Sequence, residues 1–213
     1  MIIDDDPFTL VTLAETITSL GYAISARCNS AATALQAAKA ECPDIAIVDL
    51  DLGEGPTGID VCRGLRRHSP QIGIVILSTY ADPRLMGQSQ AELPPDAVYV
   101  VKQTVTGPEV LERALILAVE RQDGSPASTG SLKIDSPLTT LSDQQVELMR
   151  LLATGASNAE IARHLFIGEA SVEKAIARLI KQLDLKATKQ QNQRVVIAQY
   201  YFKMTGSPSG HRR

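Results

Sequence analysis

The sequence of 213 residues predicts an α/β domain built on a five-stranded parallel sheet, followed by a small all-α domain of four helices. Short apolar runs alternate with helical segments as far as residue 121, which is typical of a parallel sheet covered by helices on both faces. A stretch rich in Ser, Gly, Pro and Asp follows and indicates a linker. Beyond it, two helix capping boxes predict a domain made of helices.

The front half contains its elements in a regular order. We expect strands at Ile2–Ile3, Tyr22–Ala26, Ile45–Val48, Ile72–Leu77 and Ala97–Val101. Helices are predicted from Pro7 to about Leu20, from a cap at Asn29 to about Ala40, at Ile59–His68, weakly at Pro83–Glu92, and at Pro108–Arg121. Asp6 before Pro7 is the pattern of an N-cap followed by proline at the first helical position. Continuous apolar runs such as Ile45–Val48 predict strands that are buried on both faces.

The back half reads as four helices. Ser142 with Gln145, and Ser157 with Glu160, form the two capping boxes. The first helix should end at Gly155 and the second at about Leu165, and further helices are expected at Glu169–Leu183 and at about Gln191–Lys203. A short helix, a tight turn and a longer helix form the helix-turn-helix pattern. We therefore divide the chain into residues 1–121, a linker at 122–137, a helical domain at 138–203 and a disordered tail at 204–213.

Charge is distributed unevenly along the chain. Residues 1–121 hold 9 Lys and Arg against 16 Asp and Glu, whereas residues 138–203 hold 9 against 6. An acidic front and a mildly basic back indicate two separate roles, and the basic part is the candidate for binding nucleic acid.

Several protein classes are disfavoured by composition. The sequence has no apolar run near the roughly 20 residues that span a bilayer, so we expect no membrane association. It has no basic and then apolar leader, so we predict no signal peptide. The cysteines Cys28, Cys42 and Cys62 fit neither a disulfide framework nor a metal clip, which favours reduced thiols in a cytoplasmic protein.

Polar side chains follow four of the five predicted strands. In a parallel α/β sheet, ligands bind beyond the carboxyl ends of the strands, near the switch in strand order. Three carboxylates at one edge cannot all stay ionised without a cation, because like charges repel. Since all the ligands are oxygen atoms, Mg²⁺ is the ion that fits best. An aspartate there can accept a phosphoryl group, whose oxygens a lysine and a hydroxyl can bind. The residues concerned are Asp4 and Asp5 after strand one, Asp49 after strand three, Ser78 and Thr79 after strand four, and Tyr99 and Lys102 in or after strand five.

Residues 1–121 resemble the receiver domain of two-component systems, in which an acidic pair, an acceptor Asp, a Ser or Thr and a Lys follow strands one, three, four and five. The resemblance implies a flavodoxin-like doubly wound sheet with strand order 2-1-3-4-5. It also implies a histidine kinase as phosphodonor and Mg²⁺ as cofactor. The implied site residues are Asp49 as phosphoacceptor, Ser78 and Lys102 as phosphoryl ligands, Tyr99 as aromatic switch, and Asp4, Asp5, Asp49 and the backbone carbonyl of Asp51 as metal ligands.

The front half departs from this family in its acceptor loop. Gly53 stands where the family usually has proline, and the loop DLDLGEGPTG is one residue longer than usual before Gly58. Tyr99 can also be read as a plain half-buried strand tyrosine. The first strand is short, as expected if residues are missing upstream of Met1.

Residues 141–185 resemble the LuxR-type helix-turn-helix, so the whole chain is similar to response regulators of the NarL/FixJ type. The implied recognition helix is Glu169–Leu183, and its donors share one broad face because they recur every three or four residues. Glu173, Ala175 and Ala177 replace basic, histidine and polar residues common in the family, so fewer donors are available. The segment KATKQQNQ is also longer than usual before a last helix that often makes dimer contacts. The candidate DNA-binding residues are Ser171, Lys174, Arg178 and Lys181.

These features predict a cytoplasmic two-component response regulator. Phosphorylation of Asp49 is expected to control homodimer formation and binding to double-stranded DNA, and thereby transcription, without enzymatic turnover apart from slow autodephosphorylation. One alternative is a receiver-type regulator that acts through protein partners or RNA, with weak or no specific DNA binding. Another is an aspartate-nucleophile phosphatase, since IVDLDLG contains Asp-x-Asp. Those enzymes, however, carry this motif on their first strand and the acidic pair late.

Overall fold

A computed structural model describes residues 1–87, 93–94, 96–120, 137–185 and 191–206. The described chain divides into two compact units, residues 1–78 with those from 93 to 120, and residues 79–87 with those from 137 to 206. Most of the predicted linker, the end of the predicted tail and residues 186–190 of KATKQQNQ lie outside the described residues. Within the described chain, no helix combines the length and the apolar character that crossing a bilayer requires.

The first unit contains a five-stranded parallel sheet in the order β2-β1-β3-β4-β5, which confirms the predicted fold class. The central strands β3 and β4 are almost entirely buried, because helices cover both faces of the sheet. The strands are β1 (Ile2–Ile3), β2 (Arg27–Cys28), β3 (Ile45–Val48), β4 (Gly73–Ser78) and β5 (Val98–Val101).

Four helices belong to the first unit, namely α1 (Pro7–Ser19), α2 (Ala31–Glu41), α3 (Gly58–His68) and α4 (Pro108–Glu120). The N-cap predicted at Asp6 is confirmed, because its carboxylate accepts hydrogen bonds from the backbone N–H groups of Phe8 and Thr9. Ser30, rather than the predicted Asn29, caps α2 through a bond from the N–H of Thr33.

Two predicted elements are wrong. The second strand is Arg27–Cys28 rather than Tyr22–Ala26, because β1 offers two residues for pairing and Arg27 and Cys28 lie opposite them. The weak helix predicted at Pro83–Glu92 is a 3-10 turn at Pro83–Met86, and residues 88–92 lie outside the described part of the chain.

The second unit contains α5 (Asp143–Ala153), α6 (Asn158–Leu165), α7 (Glu169–Gln182) and α8 (Gln193–Met204). Both predicted capping boxes are present, with Ser142 and Ser157 as N-caps. Phe166 turns the chain between α6 and α7 in the left-handed conformation, with a φ of 55°. The core of this unit includes Val146, Met149, Leu152, Ile161, Val172, Ile176, Leu179 and Ile197.

The cysteines are free thiols, as predicted. Cys28 and Cys62 are buried, and burial raises the pKa of Cys62 to about 12, while Cys42 is exposed.

Candidate functional site

Three carboxylates meet at the carboxyl edge of the sheet. Asp4, Asp5 and Asp49 each present an oxygen that lies within 4.8 Å of the others. The register explains the cluster, since Ile3 pairs with Val48 and the next residue of each strand emerges at the same edge. Asp4 and Asp49 are 2% and 6% exposed, whereas Asp5 is open to solvent. Asp5 is thus the carboxylate that an incoming cation reaches without displacing protein atoms.

Lys102 joins two of these carboxylates. Its Nζ lies 2.7 Å from Oδ2 of Asp4 and 2.7 Å from Oδ2 of Asp49. Burial lowers the pKa of Lys102, but the charges of the two aspartates and the hydrogen bonds to them outweigh it, so its pKa is raised and the ammonium stays charged. The other oxygen of Asp4 accepts a bond of 3.0 Å from the N–H of Asp6. Asp4 is therefore already engaged within the protein.

Asp49 has a strongly perturbed carboxyl group. Burial raises its pKa to about 6, opposed by the charge and hydrogen bond of Lys102 and assisted by the charge of Asp4. One ammonium therefore does not offset two buried carboxylates. An all-oxygen donor set with excess negative charge fits a hard divalent cation. The N–H of Asp51 donates to Oδ1 of Asp49 at 3.4 Å, which places Asp51 beside the acceptor.

Ser78 and Tyr99 lie on the two strands next to β3. Ser78 is fully buried at the end of β4 and pairs in register with Val101, the residue before Lys102. Tyr99 pairs with Ile76 and is 6% exposed, so it is buried rather than half-buried. Both residues lie on the strands where the sequence placed them.

Two glycines shape the loop after Asp49. A Cβ at Gly58 would lie 2.0 Å from the carbonyl oxygen of Asp49, so any other residue would push the start of α3 away from the acceptor. The N–H of Gly58 also donates to the carbonyl of Leu50 at 2.9 Å. Gly53 has a φ of +77°, which proline cannot adopt. The sequence showed Gly58 as the end of the loop, but its contact with Asp49 required the structure.

The four candidate DNA-binding residues all lie on the outside of α7. Val172, Ile176 and Leu179 face the core of the helical unit, which leaves the opposite face of α7 to solvent. The acidic Glu173 is exposed on the same helix. The exposed candidates are Ser171, Lys174, Arg178 and Lys181.

Comparison with known proteins agrees with this arrangement. Residues 1–113 match the response regulator receiver domain, and residues 139–193 match the luxR family of bacterial regulatory proteins. The chain is 30% identical over 165 residues to the DNA-binding transcriptional activator DevR/DosR of Mycobacterium tuberculosis, covering 74% of each protein. It is 27% identical over 196 residues to the DNA-binding transcriptional activator EvgA of Escherichia coli, covering 88% of this chain and 92% of that one.

The fold is also shared with a solved structure. The response regulator RcsB, in its complex with DNA, superposes with a TM-score of 0.59 at 20% identity, over 96% of this chain and 97% of that one. The family matches, the strand order and the acidic edge lead to one assignment. This chain belongs to the response regulators, with a receiver domain followed by a domain of the luxR family of bacterial regulatory proteins.

Proposed function

We propose that this protein is a transcription regulator controlled by phosphorylation of Asp49. A histidine kinase donates the phosphoryl group, and the modified chain binds double-stranded DNA through α7. The observation that carries the proposal is the contact of the Lys102 ammonium with Asp4 and Asp49 inside an acidic cluster. In a chain with a luxR-family domain, this site has the components needed to receive a phosphoryl group.

The proposed reaction is a transfer between two side chains. An oxygen of Asp49 attacks the phosphorus of the kinase's phosphohistidine, forming a P–O bond as the P–N bond breaks. The electron pair of that bond returns to the imidazole, which takes up a proton from solvent. Lys102, 2.7 Å from Asp49, supplies positive charge to the transferred group, and the Ser78 hydroxyl donates a hydrogen bond to it.

The metal that fits this site is Mg²⁺. Asp5, Asp49 and the backbone carbonyl of Asp51 would hold it, with Asp4 assisting. When bound, the ion neutralises charge on the transferring phosphoryl group.

Separate roles for the three consecutive aspartates can be tested by replacing Asp4 and Asp5 with Asn and Asp6 with Ala. Asp5→Asn is expected to weaken Mg²⁺ binding most, and Asp4→Asn to weaken it less, since Asp4 is held by Lys102 and the N–H of Asp6. Asp6→Ala should leave Mg²⁺ affinity unchanged and cost about 1 kcal/mol of stability, because it removes the cap of α1. Calorimetric titration with MgCl₂ and thermal unfolding measure the two effects. Loss of Mg²⁺ affinity in Asp6→Ala would contradict the assignment.

Phosphorylation supplies the signal for the second unit. It adds a charge of about −1.5 to −2 at Asp49, as for other phosphorylated side chains. Ser78 moves to meet the new oxygens, and the buried Tyr99 packs behind it as part of a shift between two states. We propose that the phosphorylated chain dimerises and binds two half-sites about one DNA turn apart. A regulator of bacterial genes that binds DNA in this way acts in the cytoplasm.

The proposed function is tested by measuring DNA binding before and after phosphorylation. The full chain is treated with acetyl phosphate and MgCl₂, and genomic fragments are captured from both samples. We expect specific fragments enriched by the phosphorylated sample, a steep dependence on salt, and a dimer in sedimentation velocity. If the chain is phosphorylated but neither sample enriches any fragment, regulation through a protein partner is the better explanation. The exposed acidic side chain of Glu173 on α7 is compatible with such a partner.

A further inference from the structure

Phe166 is the most exposed large apolar residue in the described part of the chain. It is 95% exposed and does not belong to the apolar core of the helical unit. It occupies the turn between α6 and α7, where its backbone N–H donates to the carbonyl of Ala162. The N–H of the following Ile167 donates to the same carbonyl at 3.0 Å. Backbone bonds therefore close this turn, and closing it does not require an aromatic ring.

The backbone conformation of Phe166 also disfavours phenylalanine. With a φ of 55°, the residue lies in the left-handed region, where glycine and asparagine are the usual residues after a helix. A phenylalanine here carries both a conformational cost and the cost of an apolar ring in water. Because neither the turn nor the core of the helical unit offsets these costs, the ring points to a partner outside the described chain.

The surface beside the ring is a shallow, mostly apolar groove between α6 and the start of α7. Ile167, which is 36% exposed, lines this groove and also the neighbouring cavity that contains Arg178. Arg178 is one of the candidate DNA-binding residues. The surface around Phe166 is therefore continuous with the proposed DNA-binding face of α7. The other residues that line the groove are Ala159, Ala162, Arg163, Gly168 and Glu169.

Gly168, the N-cap of α7, leaves room for a close approach. A Cβ at this position would have one neighbour within 4 Å among the described residues, the Oγ of Ser171 at 3.9 Å. Its φ of −79° suits any residue, so neither packing nor backbone conformation within the described chain requires glycine. Ser171 is a second candidate DNA-binding residue, and its hydroxyl borders this open space. A DNA duplex can thus reach the turn and Ser171 together.

The charges at this end of α7 favour contact with a base over contact with a phosphate. Arg163 and Glu169 are both exposed beside the ring, and their opposite charges cancel. Phosphate contacts depend on positive charge and hydrogen-bond donors, and the carboxylate of Glu169 repels a phosphate. An apolar ring can instead contact the 5-methyl group of thymine, which lies in the major groove. In helix-turn-helix proteins, the N-terminal residues of the recognition helix reach base edges in that groove.

We infer that Phe166 selects thymine, because its ring packs against the 5-methyl group of one thymine in each half-site, beside the bases that α7 contacts. The inference rests on the proposed function, since it places a further residue on the DNA-binding face of the same helix-turn-helix. Base selection is thereby assigned to the turn as well as to α7. The turn adds an apolar contact to the few donors that α7 offers.

Removing the thymine methyl groups one at a time tests this contact. The full chain, phosphorylated with acetyl phosphate and MgCl₂, selects a duplex from a random pool, and each thymine of that duplex is then replaced by deoxyuridine, which lacks only the methyl group. Fluorescence anisotropy measures the affinities. For the wild-type chain we expect one replacement per half-site to weaken binding about fourfold, as for exposure of one buried methyl-sized group. Phe166→Ala should bind the thymine and deoxyuridine duplexes equally at that position.

Further variants separate the contact with DNA from effects on the fold. Phe166→Asn removes the ring and suits the left-handed backbone, so the thermal unfolding temperature should stay the same or rise while the preference for the methyl group is lost. Phe166→Leu keeps an apolar side chain and should retain part of the preference. Phe8→Ala removes a phenylalanine that is 77% exposed on α1 and should leave the affinity for every duplex unchanged.

The possible outcomes distinguish this inference from the proposed function. If the phosphorylated wild-type chain binds the selected duplex, but no deoxyuridine replacement affects it differently from Phe166→Ala, the inference is wrong and the proposed function stands. If Phe166→Ala weakens binding to all duplexes alike, the ring contacts the DNA backbone and does not select thymine. A chain that is phosphorylated on Asp49 and selects no duplex would overturn both.

Discussion

Replacing Asp49 with Ala is expected to abolish the labile phosphate adduct that acetyl phosphate forms on this protein in the presence of MgCl₂. The other two carboxylates of the cluster do not substitute for it. Asp4 is bonded to Lys102 and to the N–H of Asp6, and Asp5 is exposed and lacks the 2.7 Å contact with the ammonium that Asp49 makes. Intact-protein mass spectrometry measures the adduct, and hydroxylamine should remove it from the wild-type chain.

The matched control for this loss is Asp51→Ala. Asp51 is proposed to contribute its backbone carbonyl, which the substitution retains, so labelling should persist with at most a modest reduction in rate. Lys102→Ala is expected to slow labelling strongly while leaving the nucleophile in place. An adduct on Asp49→Ala, or an unlabelled wild-type chain, would show that the acceptor is assigned wrongly.

Replacing both Lys174 and Arg178 with Ala is expected to remove most specific DNA binding by the phosphorylated chain. A side chain that reads a base edge contributes about 1–3 kcal/mol, so each such loss weakens binding by about 5- to 150-fold. A lost phosphate contact weakens binding to all sequences alike and lowers the salt slope by about one. Fluorescence anisotropy with specific and scrambled duplexes at several salt concentrations separates these two cases.

Two variants that each remove one charge test whether α7 itself contacts the DNA. Lys39→Ala removes one exposed positive charge from the other unit and should leave affinity unchanged. Glu173→Gln removes a negative charge from α7 and should strengthen binding, most clearly at low salt. If the α7 double variant binds as wild type does, DNA is not contacted by this helix, and a role through protein partners becomes the better explanation.

Much of the architecture was predictable because local chemistry determines it. Continuous apolar runs such as Ile45–Val48 favour strands that are buried on both faces of a sheet, and β3 forms there. Asp6 and the two capping boxes supply acceptors for helix N–H groups that would otherwise lack partners, so the helix starts were visible in the sequence. The acidic edge followed from strand order, since adjacent parallel strands end at one edge.

The errors arose where distant residues determine the local structure. The position of β2 depends on which residues lie opposite the two residues of β1. The apolar pattern of Tyr22–Ala26 carries no information about that pairing. Arg84 is buried because acceptors more than 50 residues away satisfy its donors, which no local sequence pattern indicates. The predicted helix at Pro83–Glu92 failed for the same reason, since Leu85 and Arg84 are held by the helical unit.

The close approach of Gly58 to the backbone of Asp49 has a consequence for how the acceptor loop can vary among relatives. The bond from the N–H of Gly58 to the carbonyl of Leu50 closes residues 50–58 into a ring. The entropic cost of closing such a ring rises slowly with its contour length. An inserted residue would therefore enlarge the ring without moving the acceptor.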